Sequence, residues 1–157
     1  MTVHAITPPA DARTWLPGAQ FADAFTLTVS APALDARGAA QRLFSTSPRW
    51  VRALLVVRDA IVAPLGITTS KTAGRVPVDR VGMFPVISDT PQRLVAGFND
   101  SHLDFRVLVD VAPAPSGTRI TSTTVVLTHN WVGRAYLTVI TPFHRLVVRA
   151  MLKQAAG

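Results

Sequence analysis

Residues 103–151 read LDFRVLVDVAPAPSGTRITSTTVVLTHNWVGRAYLTVITPFHRLVVRAM, and this stretch sets the predicted architecture. Two runs, 103–111 and 119–128, alternate in polarity and are rich in β-branched residues, which is typical of half-buried strands. Proline, serine and glycine at 113–117 predict a turn, and so short a connection makes the two strands antiparallel neighbours. Asn130 then predicts the N-cap of a helix that continues to about residue 154.

The predicted C-terminal helix is amphipathic and contains a proline. Its apolar stripe has helical spacing and comprises Val132, Ala135, Tyr136, Val139, Phe143, Val147, Ala150 and Met151. Pro142 lacks an N–H, so it is expected to kink the helix near Thr141 and to free the carbonyl of Thr138. His144 follows the kink and is predicted to lie on the helix flank, with that carbonyl or a ligand group as an alternative partner.

Further strands are predicted on both sides of the first quoted run. Residues 1–19 predict an N-terminal arm, and the alternation over 21–29 predicts a strand whose apolar face is interrupted by Asp23. Residues 67–80 predict a loop or a ragged edge strand. Two apolar runs, at 83–87 and 94–98, predict two more strands of an antiparallel sheet.

Two helices are predicted after the first strand. Asp35 is expected to cap a short helix that ends near Phe44. Ser47 is expected to be the N-cap of the second helix and Pro48 its first residue, where the missing N–H does no harm. The second helix carries a wide apolar face and is therefore predicted to be largely buried.

These elements predict a single α+β domain over residues 1–157, of which 1–19 are the arm. A curved sheet with one apolar face needs a cover, and the long final helix has the length and the stripe to provide it. We therefore predict a helix-grip fold, in which a curved antiparallel β-sheet wraps around the C-terminal helix, with two short helices after the first strand. This layout usually leaves a cavity between sheet and helix.

Composition excludes several classes of function. The chain has 16 Lys and Arg against 9 acidic residues and no cysteine, so disulfides, thiolate metal sites and a cysteine nucleophile are excluded. The four histidines have no metal-ligand spacing, and no cofactor-binding glycine motif is present, so neither metal nor cofactor is expected. Arginines are scattered, so no nucleic acid partner is expected. No signal peptide or transmembrane segment is predicted, and the expected compartment is the cytoplasm.

One row of polar residues is a candidate for chemistry. His102, Asp104 and Arg106 alternate on a single strand and therefore share a face. They could act as an acid/base and anion-pairing row in which Asp104 orients His102. The alternative is a solvated outer face with cross-strand ion pairs, which is favoured because the apolar residues of this strand occupy its other face.

Aromatic residues from separate elements are candidates for lining a ligand cavity. They are Trp50, Phe84, Phe98, Phe105, Trp131, Tyr136 and Phe143. His129 could join them at the mouth of the cavity, where the last strand meets the long helix. Plain core packing is the alternative for each of these residues.

Four segments resemble an uncharacterised bacterial family of unknown function. They are LPGAQFADAF (16–25), RWVRALLVVRDAIVAPLG (49–66), FPVISDTPQRLVAGFNDSHLDFRV (84–107) and THNWVGRAYLTVITPFHRLVVRAM (128–151). The family is in turn similar to the START-like, polyketide-cyclase-like (SRPBCC) helix-grip superfamily. This resemblance implies binding of apolar or amphipathic small molecules, in some members with catalysis.

Three functions follow as hypotheses. The first is binding of an apolar or amphipathic small molecule. The second is a cyclase, dehydratase or hydrolase that uses His102 and Asp104 as its base and Arg106 to stabilise an enolate or carboxylate. The third is a non-catalytic accessory module that docks on a partner enzyme, or on an anionic surface through Arg145, Arg149 and Lys153. An inward-facing 102/104/106 row favours the enzyme, and an outward-facing row favours the other two.

Overall fold

The computed structural model describes residues 2–31, 33–44, 47–65, 79–82 and 84–156. The strands are β1 (His4–Ile6), β2 (Phe21–Val29), β3 (Arg80–Val81), β4 (Phe84–Asp89), β5 (Arg93–Asn99), β6 (Leu103–Ala114) and β7 (Gly117–Thr128). The helices are α1 (Ala36–Phe44), α2 (Arg49–Val62) and α3 (Trp131–Ala156), with short 3-10 turns at Ala12–Trp15 and Ala63–Leu65. Within these ranges no helix is both long and apolar enough to cross a membrane.

The described strands form one antiparallel sheet in the order β1-β2-β7-β6-β5-β4-β3. The β6–β7 hairpin lies near its middle and pairs without interruption from Leu103 opposite Thr128 to Ala114 opposite Gly117. Strand β2 then pairs along the other edge of β7. The predicted α+β architecture is confirmed, because the sheet is curved and α3 packs against one of its faces, here called the concave face.

The main core lies between the concave face and helices α1 and α3. Helix α1 presents a row of small residues, Ala36, Ala39 and Ala40, which are fully buried and let the helix approach the sheet closely. Helix α3 contributes Leu152 and Ala155 near its end. The apolar side chains at every second position of the strands supply the other half of the core. This packing follows directly from the two-residue period of a strand.

The opposite, convex face of the sheet is partly covered by the N-terminal arm. Ala12 and Leu16 of the arm pack against Val95, Leu108 and Val125, which belong to three neighbouring strands. The arm expected from residues 1–19 is therefore docked on the sheet along part of its length, and its first strand, β1, extends the sheet beside β2.

An ion-pair network holds the arm to the sheet. The Arg93 guanidinium donates hydrogen bonds to Asp110 on the neighbouring strand and to Asp11 in the arm. Asp110 and Asp11 together raise the pKa of Arg93. The hydrogen bond from Arg93 in turn lowers the pKa of Asp11. Folding therefore brings the arm and two strands together around one cation.

Side-chain caps begin two of the three helices. The Gly133 N–H donates to Asn130 Oδ1 at 3.1 Å, and the Gly38 N–H donates to Asp35 Oδ1 at 2.7 Å. Both predicted caps are confirmed. The prediction for α2 is wrong, because Pro48 itself occupies the N-cap position and no side chain caps the helix.

The expectation that α2 is largely buried is also wrong. Val56, Val57 and Ile61 are 69%, 56% and 64% exposed. The helix buries Val51 and only half buries Leu54 and Leu55, so only a narrow stripe of it is covered. The wide apolar face of its sequence therefore does not correspond to a wide contact.

Helix α3 turns only part of the predicted stripe to the sheet. Tyr136, Val147 and Met151 of this stripe are partly buried. Val139 and Phe143 belong to the predicted stripe but are 67% and 45% exposed, whereas Gly133, Leu152 and Ala155 are buried. Apolar residues occur on more than one side of α3, so their spacing did not fix which side is covered. The helix is continuous through Pro142. The loop predicted at 67–80 lies outside the described residues except for its last two positions.

Candidate functional site

A cavity of about 300 Å³ lies between the concave face of the sheet and helices α2 and α3. Most of its wall is apolar and comes from Val51, Leu54, Leu55, Val107, Val126, Leu137, Ile140, Val147, Val148 and Met151, together with phenylalanines. Its polar wall residues are Ser47, Arg58, Asp100, Ser122, Thr124, Tyr136, Thr141 and His144. Its volume lies at the lower end of the range of small-molecule sites, about 300–1,000 Å³.

A chain of phenylalanines forms one side of the cavity. Phe44, Phe84, Phe105 and Phe98 contact one another edge to face, with ring centroids 5.2, 5.2 and 4.4 Å apart along the chain. They come from α1, β4, β6 and β5, so four elements meet in this wall. Edge-to-face contacts of this kind stabilise a packed arrangement beyond simple burial.

The structure separates the predicted ligand-binding residues into two groups. Five of them line the cavity, namely Phe84, Phe98, Phe105, Tyr136 and Phe143. Trp50, His129 and Trp131 do not belong to its wall. Trp50 is 46% exposed and Trp131, the first residue of α3, is 72% exposed. His129 lies on the convex side, because it follows Val125 and Leu127 on the outward-facing positions of β7.

The row of His102, Asp104 and Arg106 also faces away from the cavity. The positions between them, Leu103 and Phe105, point into it instead, as the strand period requires.

Each member of this row has a partner outside the row. Asp104 Oδ1 accepts a hydrogen bond from His129 Nε2 at 2.9 Å, and His102 Nδ1 lies 3.0 Å from Asn130 Nδ2. Arg106 donates to the carbonyl of Phe105 at 2.9 Å. The carboxylate predicted to orient His102 is thus engaged by His129, the first residue beyond the end of β7.

A second carboxylate–imidazole pair lies at the cavity. His144 Nε2 is 3.2 Å from Asp23 Oδ1, and their side chains are 22% and 14% exposed. The ring of Phe21 packs edge to face against His144, with centroids 6.1 Å apart. The other oxygen of Asp23 is buried and has no hydrogen-bond partner in the described part of the chain. The sequence marked Asp23 as an interruption of an apolar face but gave no partner for it, and His144 was predicted on the helix flank, with the carbonyl of Thr138 or a ligand group as the alternative partner.

Arg58 joins α2 to α3 at the cavity wall. Its Nε donates to the Tyr136 hydroxyl at 2.8 Å, and one terminal nitrogen donates to Asp59 Oδ1 at 2.8 Å. The guanidinium also lies 5.4 Å from the centre of the Tyr136 ring. Burial acts to lower the pKa of Arg58, but Tyr136 and Asp59 outweigh this effect and raise it. The site therefore holds a partly buried, permanently charged cation beside an apolar space.

No group of three histidine or acidic side chains that could hold a metal ion occurs in the described ranges. Two pairs of polar side chains lie at the cavity: Arg58 with Tyr136 on the α2 side, and Asp23 with His144 on the β2 side. Such pairs can donate or accept hydrogen bonds but do not form a coordination sphere.

A family model described as "Protein of unknown function (DUF2867)" matches residues 15–151. The chain belongs to this family. The match confirms the resemblance to a family of unknown function, and it spans every element that builds the cavity, from β2 to most of α3.

Solved structures similar to this chain include two bacterial proteins. A crystal structure of a Rhodobacter sphaeroides protein covers 99% of this chain and 95% of its own, with 12% identity and a TM-score of 0.47. A crystal structure of protein Ms6760 from Mycobacterium smegmatis covers 86% of this chain and 88% of its own, with 9% identity and a TM-score of 0.42. Comparison with curated proteins gives no match.

Proposed function

We propose that this protein binds an apolar or amphipathic small molecule in the cavity between the sheet, α2 and α3. The observation that carries the proposal is the cavity itself, about 300 Å³ of space with a mostly apolar wall and a few polar groups. Small-molecule sites typically have this composition, because apolar surface supplies affinity and a few polar groups supply orientation. The proposal includes membership of the START-like (SRPBCC) helix-grip superfamily, whose layout this fold resembles.

The outward direction of the 102/104/106 row favours binding over the enzyme hypothesis that used it. A base on the convex face cannot reach a molecule held on the concave face. The accessory-module hypothesis is the second candidate, and the exposed apolar residues Val56, Val57 and Ile61 on α2 favour it. A partner enzyme rather than an anionic surface is the partner that such a face would fit.

Binding is tested with the neutral fluorescent probe N-phenyl-1-naphthylamine. We expect saturable binding of one probe per chain, with a blue shift, and a higher melting temperature in its presence. A ligand that binds only the native state stabilises it by mass action, by about 2.7 kcal/mol at 100 times Kd. Replacing Leu137, which lines the cavity, by tryptophan is expected to weaken binding about 10-fold or more because the indole fills the space.

Leu146→Trp is the matched control, because Leu146 lies on the same helix but is 58% exposed and does not line the cavity. Its affinity is expected to stay within about 2-fold of the unmodified protein, since surface substitutions rarely perturb a distant site. Non-saturable binding, or equal affinities in Leu137→Trp and Leu146→Trp, would contradict the cavity as the binding site.

A further inference from the structure

Asp23 occupies a position where the fold has no structural need for a carboxylate. Its neighbours on the same face of β2, Phe21 and Phe25, are apolar, and Phe25 is 3% exposed. A carboxylate in such a layer is unfavourable unless it is paired and hydrogen-bonded, and an apolar residue of similar size often stabilises a fold as well or better. One oxygen of Asp23 is in addition buried without a partner among the described residues. The pair with His144 therefore points to a role beyond folding.

The pair fixes which nitrogen of His144 carries the proton. A carboxylate can only accept hydrogen bonds, so the contact between Asp23 Oδ1 and His144 Nε2 at 3.2 Å places the proton on Nε2. In the uncharged imidazole, Nδ1 is then a hydrogen-bond acceptor. The edge-to-face contact with Phe21 holds the ring in this orientation.

His144 lines the cavity, and Nδ1 makes no hydrogen bond to any residue that the structure describes. The hydroxyl-bearing residues Ser122 and Thr124 line the same cavity, and Thr124 lies directly opposite Asp23 in the β2–β7 pairing. The β2 side of the cavity is thus polar, as is the side that carries Arg58 and Tyr136, and it holds an acceptor of fixed orientation.

We propose that His144 Nδ1 accepts a hydrogen bond from a hydroxyl group of the bound molecule. The ligand class is then a hydroxyl-bearing apolar molecule, such as a phenol or a long-chain alcohol, in preference to a hydrocarbon of the same shape. Asp23 is a positioning residue that keeps Nδ1 free of the proton. This inference rests on the proposed function, because it assigns the ligand of the same cavity.

The test compares 4-pentylphenol with pentylbenzene, two probes that differ by one hydroxyl group. Affinities are measured at about pH 8 by displacement of N-phenyl-1-naphthylamine, and the selectivity is the Kd of pentylbenzene divided by that of 4-pentylphenol. Replacing His144 by leucine is expected to lower this selectivity about 10-fold, as the loss of one good hydrogen bond predicts. Affinity for pentylbenzene is expected to change little.

His129→Leu is the matched control. His129 makes the same type of contact, to Asp104 Oδ1 at 2.9 Å, but on the convex face. Its selectivity is expected to equal that of the unmodified protein. Asp23→Asn is the second variant and preserves the shape of the side chain. It is expected to lower the selectivity as well, because an amide no longer fixes the proton on Nε2.

The outcomes separate this inference from the proposed function. If neither probe displaces the dye and the dye itself does not bind, the proposed function and this inference are both contradicted. If both probes bind but His144→Leu and Asp23→Asn keep the selectivity of the unmodified protein, the assignment of His144 is overturned while the cavity remains a binding site. Loss of selectivity in His129→Leu would likewise overturn it, because the effect would not belong to the cavity.

Discussion

Replacing Leu152 by aspartate is expected to abolish the cooperatively folded state. Leu152 is fully buried in the main core, between α3, α1 and the sheet. Loss of a buried leucine destabilises a protein by about 2–5 kcal/mol, and burial of an unpaired carboxylate adds several kcal/mol. Together these terms approach the whole free energy of unfolding of an ordinary domain, about 5–15 kcal/mol. Thermal denaturation followed by circular dichroism should show no cooperative transition.

Leu146→Asp provides the control on the same helix. Leu146 is 58% exposed, so its replacement is expected to change the free energy of unfolding by no more than about 0.5 kcal/mol. A Leu152→Asp variant that unfolds cooperatively near the melting temperature of the unmodified protein would show that α3 does not form the cover of the concave face.

Gly133→Ala is expected to lower the free energy of unfolding by about 2 kcal/mol or more. A Cβ at this position would clash with the carbonyl oxygen of His102, which is backbone and cannot move aside cheaply. Helix propensity alone predicts the opposite sign, a gain of about 1 kcal/mol for alanine over glycine. Overpacking against the backbone outweighs that gain. Urea denaturation measures this difference in the free energy of unfolding directly, provided that the dependence on urea concentration has the same slope in both proteins.

Gly38→Ala in α1 is the comparison for this prediction. There a Cβ would meet only the side chains of Asp35 and Leu34, at 2.9 Å, and these can adjust. The expected change is within about 1 kcal/mol. If Gly133→Ala were stabilising, the close approach between the start of α3 and the turn before β6 would not be present in solution.

The sheet was predictable because its signals are local. Alternation over 21–29 and 103–111 fixes both the strand and the face that each side chain occupies, and the short turns fix antiparallel pairing. The direction of the 102/104/106 row follows from the same period. The N-caps of α1 and α3 were predictable for the same reason, since each depends on a side chain within three residues of the N–H that it accepts from.

The candidate site was predictable only in part, because it depends on contacts between distant residues. The Asp23–His144 contact joins β2 to α3 and depends on which side of α3 faces the sheet. That side was not specified by the sequence, since Val139 and Leu146 place apolar groups on the exposed side as well. Asp104 contacts His129 instead of the predicted His102 for the same reason, because His129 reaches Asp104 from the end of the neighbouring strand of the β6–β7 hairpin.

The position of β2 in the sheet also determines when during synthesis this strand can pair with β7. Phe21 pairs with Val126, so β2 can pair with its neighbour β7 only after all the residues between them have been synthesised. A ribosome releases the N-terminus first, and β2, which carries Phe25, Leu27 and Val29, then emerges without its neighbour β7. Pairing over so long a separation is slow compared with helix formation. The nascent chain is thus most prone to aggregation before β7 and α3 leave the exit tunnel.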